Sequence, residues 1–150
     1  MRRSKLWTEQ GGSSSLEFIT AGMLLLLPLV YLVLVMSALQ AGAFAVEGAA
    51  RQAARVFVQG ENAATASAQA ERAIEFALAD YGFSLADAAV SVQCSPDPDA
   101  CLTRLGVVTV IVGVSVPLPL VPPGLTLEVP LAIPLEASAT QQVSRFAGGR

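Results

Sequence analysis

Residues 12–55 read GSSSLEFITAGMLLLLPLVYLVLVMSALQAGAFAVEGAARQAAR, and the reading of this stretch decides the fold. Over 29 residues, Phe18 to Val46, no side chain is ionisable except the phenol of Tyr31. A helix rises about 1.5 Å per residue and the hydrocarbon core of a bilayer is about 30 Å thick, so roughly 20 apolar residues cross it. The densest part, MLLLLPLVYLVLVM at 23–36, together with its flanks meets that requirement, and a span at about residues 18–39 is expected. A secretory h-region is only about 7–15 residues, shorter than this run. Pro28 lies inside it, removes one helical hydrogen bond and is expected to kink the helix, which membrane helices tolerate. Arg2, Arg3 and Lys5 precede the run and no positive charge follows until Arg51. The excess of positive charge marks the cytoplasmic side, so the N-terminus is expected inside and the remainder outside the cytoplasm.

Working outward, the 150 residues allow at most one ordinary globular domain. Apolar residues make up 53% and charged ones 14%, which excludes disorder and favours a membrane-associated chain. There is no histidine, so Ser-His-Asp and Cys-His nucleophile systems and His-based zinc sites are ruled out. The net charge of −3, with the basic residues of the extreme N-terminus set aside, leaves no basic stripe, and nucleic acid is not an expected partner. No enzyme, metal site, cofactor or small-molecule substrate is expected.

Glu17 stands at the mouth of the apolar run. A carboxylate carried to the bilayer centre costs about 2.5–3.5 kcal/mol and normally has a partner there. Two readings stay open: a functional, paired carboxylate, or an acid that marks the membrane edge in the first helical turns, where the helix dipole favours it.

The context Gly11-Gly12-Ser13-Ser14-Ser15-Leu16-Glu17-Phe18, followed by the long apolar helix, resembles the class III signal of type IV pilins. The stretch Val46-Glu47-Gly48-Ala49-Ala50-Arg51-Gln52-Ala53-Ala54-Arg55 is similar to the alanine-arginine run that follows the membrane helix in TadE-like proteins, the minor pilins or pseudopilins of the tight-adherence (Tad/Flp) pilus machinery. The likeness covers roughly residues 12 to 58, and the rest agrees only in general character. It implies removal of a cytoplasmic leader, residues 1–12, by a membrane-embedded prepilin peptidase cutting between Gly12 and Ser13. It also implies assembly or registry roles for Glu17, the fifth residue of the mature chain, and for Phe18. A glycine, lacking Cβ, fits a tight protease site in extended conformation. The first mature residue would be serine, not the methylated phenylalanine common in major pilins, so N-methylation is not carried over.

Glu47, Arg51 and Arg55 follow one another at four-residue spacing and share a helix face, where Glu47 and Arg51 can pair. That face is either simply solvated or meets acidic groups of neighbouring pilins or lipid phosphates. Alanines at 43, 45, 49, 50, 53 and 54 would allow a second helix to approach closely.

A second helix is expected over Ala63–Tyr81, capped by Asn62 and ended by Gly82, with Ala70, Ile74, Ala77, Leu78 and Tyr81 as its core stripe. Its Glu71 and Glu75 have no base or nucleophile motif beside them. From Ala89 the period becomes two: Val90, Val92 and Cys94 form one strand and Val108, Val110, Val112, Val114 and Val116 another. A third run sets Leu125, Leu127, Val129, Leu131, Ile133 and Leu135 against Thr126, Glu128, Pro130, Ala132, Pro134 and Glu136, its prolines suiting an edge strand. Pro117 to Gly124 is expected to be a loop. A rival reading makes the 23 uncharged residues Leu105–Leu127 a second span, against which stand four prolines and the β-branched alternation.

Cys94 and Cys101 bracket a turn-rich SPDPDA segment on the side predicted to be oxidising, which points to a disulfide. Two thiols without histidine do not complete a zinc site, and Asp97 with Asp99 falls short of a calcium loop.

The expected architecture is α+β and pilin-like: leader 1–12, an N-terminal helix over 13–58 carrying the span, and an extracytoplasmic domain over 59–150 with a second helix and a small antiparallel sheet. The expected function is that of a minor pilin-like subunit in the membrane, a partner of prepilin peptidase, of other pilin subunits and of Tad assembly proteins, that can end in an extracellular pilus. The alternatives are a membrane-anchored extracytoplasmic binding protein and a secreted globular protein cut at Ala41-Gly42-Ala43.

Overall fold

The computed structural model describes residues 13–121 and 131–147. The expected leader with Gly12, residues 122–124 of the expected loop and residues 125–130 of the expected third strand lie outside the described residues.

One helix, α1, runs from Ser13 to Phe57, 45 residues, and passes through Pro28 as a single element. It has two characters. From Leu16 to Met36 the leucines, valines and methionines stand exposed all round the helix, except for the half-buried Val35. From Gly42 onward one broad stripe is buried: Ala45, Val46, Ala49, Ala50, Ala53, Ala54 and Phe57. Two adjacent positions per turn are covered because α1 packs on two neighbours at once, a second helix and the sheet. Alanine's single methyl lets both backbones come close.

The second helix, α2, spans Ala63–Ala79. Asn62 caps it as expected: its side-chain oxygen accepts from the Thr65 N–H at 2.9 Å, while the Thr65 hydroxyl accepts from the Asn62 N–H. Gly82 adopts φ +79, the left-handed conformation that glycine takes at little cost where a helix ends. Ala66, Ala70, Ile74 and Leu78 are buried. Tyr81, expected at the end of that stripe, is exposed: the helix finishes at Ala79 and the turn carries Tyr81 out of phase.

Three strands form an antiparallel sheet in chain order: β1 (Ala88–Ser95), β2 (Val107–Pro117) and β3 (Ala132–Gln142). In the register Val90 faces Val112, Val92 faces Val110 and Cys94 faces Val108. On the other side of β2, Ile133 faces Val116, Leu135 faces Val114 and Ala137 faces Val112. The five alternate valines of β2 from Val108 to Val116 are all buried beneath the helices. The same alternation disposes of the second-span reading, because Val107–Pro117 is the central strand of a sheet.

The third strand differs from expectation. It begins at Ala132 and continues past Glu136 to Gln142. Pairing with all of β2 extends it through Ala137-Ser138-Ala139-Thr140, whose alternation of small apolar and polar residues is too weak to stand out beside the leucine-rich run before it. Its prediction as an edge strand holds, and Pro134 lies in it.

Candidate functional site

The features with functional potential lie along α1 and around the end of the sheet where α1 leaves the head. Glu17 is exposed in the second turn of α1, and among the described residues no side chain hydrogen-bonds to it. Thr20, on the same side, satisfies its own hydroxyl by donating to the Leu16 carbonyl at 2.7 Å. Leu16, Glu17, Thr20, Ala21, Leu24 and Leu25 border a shallow, mostly apolar groove along the lone helix, whose polar groups are the Glu17 carboxylate and the Thr20 hydroxyl. A groove on one helix is open along its length and encloses no ligand. Phe18 is exposed beside it.

One half of the expected charged face is realised. Arg51 donates to the Glu47 carboxylate in an i, i+4 ion pair with both side chains largely exposed. Such pairs contribute about 0.3–0.5 kcal/mol. Arg55, one turn on, is exposed in the last turn of α1, where a cation complements the helix dipole. Phe44 is exposed on the same side of the helix and a Cβ at Gly48 would meet open space, so Phe44, Gly48, Arg51 and Arg55 line one solvent-facing stripe. The alanines serve a different purpose. All but Ala43 are fully buried within this chain's own head, against α2 and the sheet, so the second helix they admit is α2.

Cys94 and Cys101 form a disulfide with Cα atoms 5.0 Å apart, within the ordinary range. It ties the end of β1 to the loop after it, and the Asp99 N–H donates to the Asp97 carboxylate inside that loop. Among the described residues no three His, Cys, Asp or Glu side chains gather as a metal cluster would require.

Two features carry no clear sequence signal. Gly42 is buried where α1 first meets the head, and a Cβ there would stand 2.5 Å from Val116 Cγ2 and 3.0 Å from Leu135 Cδ1. The second is a groove of about 380 Å³ between α2 and β1, bordered by Ser67, Glu71, Ile74, Val90 and Val92. It exists because α2 packs on α1 and does not fully cover the edge strand, leaving Val90 and Val92 about two-fifths exposed.

No family model matches the chain, and neither a curated protein nor a solved structure matches it.

Proposed function

We propose that the protein is a minor pilin-like subunit of a Tad-type pilus or a related secretion machine. It is made as a precursor, cut by prepilin peptidase between Gly12 and Ser13, and held in the membrane by the apolar half of α1 until it joins, primes or stabilises the filament. The observation that carries this reading is the division of labour within α1. Residues 18–36 are almost wholly apolar and exposed, while Gly42–Phe57 of the same unbroken helix are built into a small α+β head. A free apolar helix of this length suits a bilayer, and on leaving it the same surface can be covered only by other such helices. A head wedded to the helix transmits each subunit's axial position to its neighbours.

Glu17 gives that packing a register. Cleavage would create an α-amino group at Ser13, mostly cationic at neutral pH, and a carboxylate four residues on can pair with its own or a neighbour's amine. The stripe of Phe44, Arg51 and Arg55 on the outer side of α1 is available to adjoining subunits. The head then lies outside the cytoplasm, consistent with the Cys94–Cys101 disulfide. The protein catalyses nothing and its partners are the membrane, prepilin peptidase, other pilin subunits and Tad assembly proteins.

The mature N-terminus tests the proposal. Mass spectrometry of protein from cells with an active prepilin peptidase is expected to find Ser13 first, and Gly12→Arg to leave the precursor uncut. An uncut start would favour a simple membrane-anchored binding protein. A chain beginning at Phe44 would favour a secreted one, a reading made harder by the burial of Gly42 within an unbroken α1.

A further inference from the structure

Gly42 fixes which end of the head faces the span. It lies three residues beyond the expected span end at about residue 39, a rise of about 4.5 Å. There it meets Val116 near the end of β2 and Leu135 near the start of β3. The β2–β3 connection therefore leaves the sheet at the level where α1 leaves the head. Phe83, on the connection from α2 to β1, approaches the same point, 3.6 Å from where a Gly42 Cβ would be.

The part of this connection that the structure describes is apolar and presented outward. The Leu118 N–H donates to the Leu131 carbonyl at 3.0 Å, closing the base. Leu120 follows at φ +65 with 80% of its surface exposed, and Leu118, Pro119 and Val121 are half-buried around it. Along the sequence no charged residue occurs between Arg104 and Glu128. Tyr81, two residues before Phe83 in the chain, is exposed, and aromatic residues of this kind gather at membrane–water interfaces.

The geometry points to a second membrane contact: Leu118, Leu120 and Val121, where the chain leaves β2, insert into the outer-leaflet interface beside α1. This rests on reading α1 as a membrane span. The occupant is a neutral phospholipid surface, for two reasons. Leu118–Val121 come just after Val116, which meets α1 at Gly42, and carry no cation for an anionic headgroup, and Asp80 and Asp87, exposed on the neighbouring connection, disfavour one. Shallow burial of apolar side chains is sufficient for such contact. Held at two points, the head of the unassembled subunit cannot swing freely about the helix, and the contact is given up when the subunit leaves the bilayer.

The test uses the full chain in phosphatidylcholine vesicles, with an environment-sensitive fluorophore on single introduced cysteines and spin-labelled phosphatidylcholine as quencher. The sites are Leu120→Cys in the loop, Val30→Cys in the span, and Gln141→Cys, which pairs with Val108 at the opposite end of the sheet. The label at 120 is expected to lose about half its emission to quenchers near the headgroup, that at 141 almost none, and Val121→Asp to abolish the loss at 120. Quenching at 30 but not at 120 would overturn the loop contact alone, as would a blue-shifted but unquenched label at 120, which would mean cover by protein. Indifference of the loop signal to Val121→Asp would also overturn it. Absence of quenching at both 30 and 120 would remove the span and the loop contact together.

Discussion

Gly42 lies against Val116 so closely that a Cβ on the glycine would stand 2.5 Å from the valine's Cγ2 methyl. No real Cβ contact is that short, and a β-branched side chain on a strand has little freedom to turn away. Here α1 stops being a free apolar rod and becomes part of a core.

The two glycines of this half of α1 should consequently respond in opposite directions. Gly48→Ala adds a methyl in open space to a helix interior and should stabilise the head by about 0.5–1 kcal/mol. Gly42→Ala makes the same propensity gain but overpacks against Val116 and Leu135, and should be destabilising by about 1–3 kcal/mol. Urea unfolding in detergent, followed by the signal of the head, gives both values; a stabilising Gly42→Ala would mean that the sheet moves away from the helix at little cost.

Glu17→Ala should still be cut after Gly12 and should insert normally, because the span is apolar without the carboxylate. Assembly should fail, since leaving the new α-amino group unpaired in an apolar bundle costs roughly 3–5 kcal/mol. Membrane level, N-terminus and pilus production are compared in one strain. Normal piliation with this variant as the sole copy would make Glu17 a marker of the membrane edge and no more.

The Cys94–Cys101 bond closes a short loop and should stabilise the head by about 2.5 kcal/mol on the chain-entropy model. Mass analysis without reductant should find the protein two hydrogens lighter than the dithiol, and the denaturation midpoint should fall when reductant is added. Two thiols that alkylate freely without denaturant would contradict both the bond and an extracytoplasmic head.

Asn62→Ala removes the acceptor for the Thr65 N–H and should cost about 1 kcal/mol, whereas Asn62→Asp, which keeps an acceptor, should be nearly neutral. The difference between their urea midpoints isolates the cap from the packing of α2 on α1.

Much of the scaffold is written locally. The uncharged run from Phe18 to Val46 announces a long apolar helix, because the distance between charges is a property of the chain alone. Asn62 and Gly82 delimit α2 within a few residues, since capping involves only neighbouring backbone groups. The alternate valines of β2 announce a half-buried strand, and the Cys94–Cys101 spacing announces a short closed loop.

Other features depend on what the elements meet. Nothing in Ala137-Ser138-Ala139-Thr140 demands a strand, yet pairing with β2 draws them into one, because the open hydrogen-bonding edge of a long central strand is satisfied by whatever chain lies beside it. The alanines of α1 read as room for some other helix; only the tertiary fold decides that α2 and the sheet of the same chain fill it. Tyr81 and Val90 fit apolar patterns and are exposed, because a periodic pattern says which face a side chain is on but not whether another element reaches far enough to cover it. The sequence by itself determined the apolar helix, the α2 cap and the valine strand, all products of near-neighbour chemistry. Only the tertiary structure brought Gly42 to Val116, and with it the end of β2 to the point where the exposed apolar half of α1 begins, since that contact joins residues 74 apart and depends on how closely two backbones can pack.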